Sequence, residues 1–282
     1  MKKLYWAAGI VAAIILTYFI LIPAFAGKLL INPVFSLGLF EIRWYGLILA
    51  LAVLAAYFFA RKISWRFGIS PQTVDDFTFW SVIIGIIGAR LYYVAFNFSY
   101  FSANSSEIYK LWHGGISIYG AILACLGFAY LYSRQKAFTF SQIFDLIALS
   151  LPLGQAIGRF GNFANQEAFG TPTNLPWKMY VAPEHRPAQY AGTSFFHPAF
   201  LYEAIFNLVV FLILRKLVGR VRTGIIGWSY LLLYSIGRFF IEAIRLDSFF
   251  ASGFRIDEVV AALLIVVSGA VILSKLAKAT HS

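Results

Sequence analysis

The chain has 282 residues, 60% of them hydrophobic and only 12% charged, with a formal net charge of +11. A soluble domain carries about a quarter charged residues, so this composition excludes a water-soluble fold and makes lipid the solvent for most of the chain. The positive balance does not imply nucleic acid. The basic residues stand in short clusters between apolar runs, which is the pattern of cytoplasmic loops held to anionic membrane lipid.

A spanning helix needs about 20 apolar residues, and eight runs approach that length: Leu4–Phe25, Ile42–Ala60, Phe77–Asn97, Gly115–Leu131, Ile143–Gly158, Ala199–Leu214, Gly224–Ile241 and Ile256–Leu273. The fifth and sixth are the short ones. The expected fold is therefore all-α and polytopic. Lys2 and Lys3 precede the first run. Arg61, Lys62 and Arg66 follow the second, and Arg134 and Lys136 the fourth. Arg215, Lys216, Arg220 and Arg222 follow the sixth, and Lys275 and Lys278 the eighth. All thirteen fall on one side if the helices alternate, and the positive-inside rule makes that side, with both termini, cytoplasmic.

Residues 1–28 form an N-terminal extra span or signal-like anchor. Lys2-Lys3, the apolar stretch and Ala24-Phe25-Ala26 are similar to a secretory signal peptide with its Ala-x-Ala site. The apolar region is longer than the usual stretch of about 7–15 residues, so it is read as a retained anchor. Cleavage would leave seven spans in the same orientation. Residues 29–282 make up the remaining membrane domain, whose longest hydrophilic segment, about 159–198, is an irregular outer loop containing Pro172, Pro176, Pro183, Pro187 and Pro198.

Charges inside or just outside the spans are the informative ones, because an arginine or glutamate facing hydrocarbon costs at least about 2.5 kcal/mol. Tyr234, Arg238, Glu242 and Arg245 are spaced to share one helix face. Glu242 is expected to bridge Arg238 and Arg245, leaving a positive charge for an anionic ligand; the plainer reading is a structural Arg238–Glu242 pair. Arg90, within Gly85–Arg90, has two readings as well: a tie between helices or a ligand contact. The segment Gly158–Gly170 is too polar for a span and too apolar for a free loop, and reads as a re-entrant or cavity-lining stretch.

Further polar residues fall at the same outer level: Tyr45 in Arg43-Trp44-Tyr45-Gly46, Tyr119 after His113-Gly114-Gly115, and His197, Tyr202 and Glu203 at the start of the sixth run. No paired His, Asp or Glu spacing suggests a metal site, and no Gly-x-Ser-x-Gly element a serine hydrolase. Cys125, the sole cysteine, lies in an apolar run and is read as helix packing.

These residues carry a resemblance. Gly158–Gly170 reads Gly-Arg-x-Gly-Asn-Phe-x-Asn-x-Glu-x-x-Gly, which resembles the signature of the bacterial prolipoprotein diacylglyceryl transferases at every fixed position. The likeness extends through Arg43–Gly46, Gly88-Ala89-Arg90, Gly114–Ser117, His197-Pro198-x-x-Leu201-Tyr202-Glu203 and Arg238-x-x-x-Glu242-x-x-Arg245. Family members typically have seven spans with an outer N-terminus, so the resemblance implies a seven-span core preceded by an extra N-terminal span.

It also implies the reaction. A diacylglyceryl group moves from phosphatidylglycerol to the lipobox cysteine thiol of a prolipoprotein signal peptide, releasing glycerol 1-phosphate, in the bacterial cytoplasmic (inner) membrane and without a cofactor. The implied catalytic residues are Arg159, Arg238, Glu242 and Tyr119. The implied substrate-binding residues are Arg159, Asn162, Asn165, Glu167, Gly170, Tyr45, Arg90, His197, Tyr202, Glu203, Tyr234 and Arg245. Arg159 and Arg238 would hold the phosphate, Asn162 and Asn165 the glycerol or ester oxygens, and Glu167 and Glu242 would orient the arginines. Tyr119 is a departure: some members carry histidine there, and a tyrosine hydroxyl with a pKa near 10 is a poor general base at neutral pH. The rival reading from the residues alone is an organic-anion carrier or channel with an arginine-lined cavity; a third is a lipid-binding assembly factor.

Overall fold

The computed structural model of the chain describes residues 15, 17–38, 40–246, 250–251 and 254–280. A π-helical turn at Thr17–Leu21 leads into the short helix α1 (Ile22–Phe25). A hairpin of β1 (Val34–Leu37) and β2 (Phe40–Arg43) precedes α2 (Trp44–Ile63). Then come α3 (Pro71–Phe96), α4 (Phe98–Ala103), α5 (Ile118–Arg134) and α6 (Phe140–Ala164). Short strands β3 (Met179–Tyr180) and β4 (Phe195–Phe196) pair within the following loop. The chain ends with α7 (Ala199–Leu217), α8 (Ile225–Glu242), the β5–β6 pair (Phe250–Ala251 with Phe254–Arg255) and α9 (Ile256–Thr280).

The described residues fall into two compact units. One comprises Ala56–Ser150 and Leu214–Gly227. There α3 begins on a local cap: Ser70 accepts the Thr73 backbone N–H at 3.1 Å and Pro71 supplies the preset backbone angle of a first helical residue. Helices α3 and α5 pack closely. A Cβ on Gly88 would collide with Ala124 and with the Gly120 carbonyl, so only glycine permits this approach. Cys125 belongs to the same contact, its Sγ 3.4 Å from the Ser81 carbonyl. At the start of α8 the buried Asp145 carboxylate accepts the Gly224 and Gly227 N–H groups at 2.6 and 2.7 Å. It thereby satisfies donors that a helix N-terminus leaves open.

The other unit takes in the described residues up to Ala55, Leu151–Ile213 and the chain from Trp228 onward. Its core is aromatic: Phe163, Phe169, Met179, Val181, Phe196 and Phe200 are buried together with Ala24. Phe163 stacks on Phe200 at 4.9 Å, and Phe169 tilts against Phe196 at 5.0 Å. Burying each such side chain stabilises by about 1.5–3 kcal/mol. These residues pin the loop after α6 to the first turn of α7, which is what fixes the polar residues described below.

Among the described residues four helices are long and apolar enough to cross a membrane: Trp44–Phe67, Pro71–Phe96, Phe140–Ala164 and Ile256–Ala277. Three of them turn most of their apolar side chains outward, only 6% of the Trp44–Phe67 window being buried, whereas 44% of the Phe140–Ala164 window is buried. That arrangement is stable only in lipid, and the chain is a multi-pass helical membrane protein. The fifth run is not short, since α6 extends over 25 residues. The sixth forms the 19-residue α7, while the fourth, α5, has 17. Most of the first run lies outside the described residues. Sequence periodicity also passed over the three two-stranded pairs among the described residues, because two- to four-residue strands leave no alternating signal long enough to read.

Candidate active site

Glu203, in the first turn and a half of α7, is 4% exposed and stands among three arginines. Its Oε2 contacts Nη2 of Arg159 from α6. Its Oε1 lies 2.7 Å from Nη1 of Arg245 and 3.7 Å from Nη1 of Arg238 on α8. Arg238 is shared further: Nη2 is 2.7 Å from Glu242 Oε2 and 2.8 Å from Asp257 Oδ2 in the first turn of α9. Glu242 is fully buried. Neither of its carboxylate oxygens makes an aligned hydrogen bond among the described residues, so its 2.7 Å approach to Arg238 is ionic rather than directional. Arg255 donates from Nη1 to the Glu242 carbonyl.

Two expectations change. Arg245 does not continue the helix face of Tyr234, Arg238 and Glu242, because α8 ends at Glu242. Arg245 instead forms an isolated backbone bridge with Gly170 and reaches Glu203, so the carboxylate joining Arg238 and Arg245 is Glu203. The positive surplus is also not confined to α8. Arg159, Arg238 and Arg245 face Glu203, Glu242 and Asp257, and Arg255 is the fourth cation. Asp257 went unnoticed in the sequence because an acidic residue opening a helix has an ordinary explanation in the helix dipole.

Gly158–Gly170 is only partly irregular. Helix α6 runs through Ala164, placing Arg159 and Asn162 one turn apart, with Arg159 Nη1 3.5 Å from Asn162 Oδ1. Glu167 does not pair with the arginines directly and reaches Arg159 only through Asn162. Its Oε1 accepts from Asn162 Nδ2 at 2.9 Å and Asn165 Nδ2 at 3.5 Å, so it orders the two asparagines. The turn beyond is strained: Gln166 and Ala168 adopt φ of 51° and 55°, uncommon for residues with a Cβ. The Gln166 Oε1 accepts the Ala182 N–H at 2.7 Å and helps hold that turn. At Gly170 a Cβ would sit 2.9 Å from both His197 Cβ and the Ile244 carbonyl, so the bridge to Arg245 requires glycine.

Of the remaining residues in this unit, Tyr45 opens α2 with its ring against the backbone of Gly161. Tyr234 stacks on Tyr230 at 5.6 Å and lines, with Glu203, Asn207 and Arg238, a void of about 10 Å³. His197 Nδ1 is 3.1 Å from the Tyr202 hydroxyl, which also accepts from Trp177 Nε1 at 2.8 Å. Sequence reasoning missed Trp177, whose signal was an aromatic inside a proline-rich polar loop.

In the other unit, all five N–H groups of Arg90 point at backbone carbonyls: Nε at Ile108, Nη1 at Gly114 and Gly115, Nη2 at Glu107 and Lys110, over 2.5–3.5 Å. The geometry therefore favours the structural reading of Arg90, as the tie that holds the 107–115 loop to α3. In that loop Glu107 binds Lys110 at 2.7 Å and His113 at 2.6 Å. Lys110, and then His113, hold its carboxyl below the usual carboxylate range. Tyr119 sits in the first turn of α5, 44% exposed.

Three guanidinium groups fixed by buried carboxylates form a preorganised site for an anionic oxygen, and arginine's planar fork matches phosphate. Fold and site together define a polytopic membrane protein with a buried polar centre suited to an anionic group. The chain belongs to the prolipoprotein diacylglyceryl transferase family, whose description residues 32–274 match, and it is a transferase. It is 43% identical to the phosphatidylglycerol–prolipoprotein diacylglyceryl transferase of Fervidobacterium nodosum over 95% of this chain and 94% of that one. It is 44% identical to the enzyme of the same name from Thermotoga maritima over 92% and 90% of the two chains. A Thermosynechococcus vestitus enzyme of that name is 41% identical, over 82% of this chain and 87% of that one.

Proposed function

We propose that this chain transfers a diacylglyceryl group from phosphatidylglycerol to the lipobox cysteine of prolipoproteins, releasing glycerol 1-phosphate, in the bacterial cytoplasmic membrane with its C-terminus in the cytoplasm. The observation that carries the reading is the set of three arginines around Glu203 in a chain of this family. The substrate thiol gives up its proton to bulk water and attacks, as the thiolate, the diacylglyceryl carbon bonded to the phosphate oxygen. The new C–S bond forms as the C–O bond breaks, and glycerol 1-phosphate leaves with the electron pair. Arg159 and Arg238 bind the phosphate, so fixed cations meet charge that grows on the leaving oxygen. Arg245 completes the anion site. Asn162 and Asn165, ordered by Glu167, face the glycerol or ester oxygens. Glu203, Glu242 and Asp257 hold the guanidinium groups in place.

The nucleophile belongs to the substrate, so the enzyme needs none; Cys125 sits in a helix contact. The Tyr119 hydroxyl serves as a hydrogen-bond donor to an ester or phosphate oxygen. The anion-carrier reading is set aside, because the matched family is one of transferases.

The test pairs two lipobox peptides in vesicles of phosphatidylglycerol. The cysteine peptide should gain the lipid. Its serine counterpart should not, since a hydroxyl is a far weaker nucleophile near neutral pH. Equal modification of both peptides, or a lipid covalently attached to the enzyme, would refute direct displacement by the thiol.

A further inference from the structure

The unit containing Ala56–Ser150 carries a second, open cavity of about 420 Å³ at the end of α3. It is lined by Tyr93, Asn97, Tyr100, Phe101, Glu107 and His113, with Arg90 and the Gly114–Gly115 backbone forming a wall. The volume lies in the range of small-ligand sites, roughly 300–1,000 Å³.

Its charged groups are already occupied. Every Arg90 N–H meets a backbone carbonyl. The two Glu107 oxygens are taken by Lys110 and His113. An incoming ion would have to compete with one of these pairs for its partner. The neutral groups are open. The hydroxyls of Tyr93 and Tyr100 and the Asn97 amide oxygen make no hydrogen bond among the described residues; the Asn97 amide N–H donates to the Tyr93 carbonyl at 2.8 Å. These three present uncharged donors and acceptors beside the ring of Phe101, against which Tyr93 and Tyr100 both pack edge-on.

The surroundings say where the rest of the ligand goes. Phe96, Phe98 and Trp112 are 75%, 70% and 73% exposed beside the cavity, at the end of a helix apolar enough to span the membrane. Exposed aromatics at that level belong to the bilayer interface, so a ligand head in the cavity can keep its tails in lipid.

We propose that this cavity binds the uncharged, hydroxyl-bearing headgroup of a glycerolipid, a diacylglycerol or a glycosyl diacylglycerol, through Tyr93, Tyr100 and Asn97. Its occupancy is independent of the arginine site, so it stands whether or not the transferase reading does.

The test uses full-length protein in phosphatidylcholine nanodiscs and a diacylglycerol carrying a photoactivatable group in one acyl chain. Peptide mapping should place the label within residues 93–115. The Tyr93→Phe/Tyr100→Phe double variant keeps both rings and loses both hydroxyls, and its labelling should fall roughly tenfold. Arg238→Ala should label as the unaltered protein does. Unlabelled diacylglycerol should compete, and free glycerol at the same concentration should not. Competition by glycerol at that concentration would point to a soluble polyol and overturn the lipid assignment. Label spread evenly over the spans, label undiminished in the double variant, or competition by a lipobox peptide would each overturn the site itself.

Discussion

Glu203 Oε1 and Arg245 Nη1 lie 2.7 Å apart, joining the first turns of α7 to a residue that has already left α8. The other Glu203 oxygen meets Arg159, so one carboxylate sets the spacing of cations from two separate helices and a bridge. Glu203→Gln keeps the shape and removes the charge. Removing one partner of a buried ion pair costs about 3–5 kcal/mol, so both thermal stability in detergent and turnover should drop sharply. Normal turnover in a stable Glu203→Gln protein would show that the carboxylate does not organise the arginines.

Asp257 shares Arg238 with Glu242 and lies at 2.8 Å. Asp257→Asn should leave the protein folded, because Arg238 retains Glu242. Its kcat should fall about tenfold, while Asp257→Glu recovers part of the loss. A change confined to KM would mean that Asp257 acts on substrate entry rather than on the set of the guanidinium.

Arg90→Lys keeps a positive charge but has three donors where arginine has five. Each lost bond from a charged group is worth about 1.5–3 kcal/mol, so hydrogen exchange in residues 107–115 should rise. Unchanged protection there would contradict the role of Arg90 as the tie of that loop. The same measurement has a pH arm through Glu107, whose carboxyl sits below its usual range because of Lys110 and then His113. A depressed folded value stabilises above the ordinary carboxylate range and is lost as pH falls through the depressed value. Loop protection should therefore hold as pH falls to the normal carboxylate range and decline below it, and Glu107→Gln should flatten that decline.

The sequence carried the membrane class and most of the residues now gathered around the phosphate-binding proposal, because buried charge in an apolar chain is conspicuous. The partners were less legible. Spacing placed Arg245 on the face of Glu242, but a spacing rule holds only while the helix continues, and α8 stops at Glu242. Glu167 is expected from its position to orient the arginines, and the turn at Gln166–Ala168 sets it against the two asparagines instead. Asp257 is fifteen positions beyond Glu242 across a hairpin, a separation that no helical period can bridge.

The central claim is that fixed arginines stabilise the departing phosphate, and single-turnover release of glycerol phosphate tests it most directly. Purified protein in phosphatidylglycerol vesicles is mixed with excess lipobox peptide, and both released glycerol phosphate and peptide mass are followed. The unaltered chain should release one glycerol phosphate for each diacylglyceryl group gained. Arg238→Ala should slow that step about 10²–10³-fold, the usual effect of losing one preorganised charge-stabilising group. Arg238→Lys should recover little, since it lacks the bidentate fork, and Lys178→Ala, whose ammonium rests over the Phe195 ring at 4.5 Å, should be near normal. Near-normal release from Arg238→Ala would contradict the account and reduce the Arg238–Glu242 pair to a structural tie.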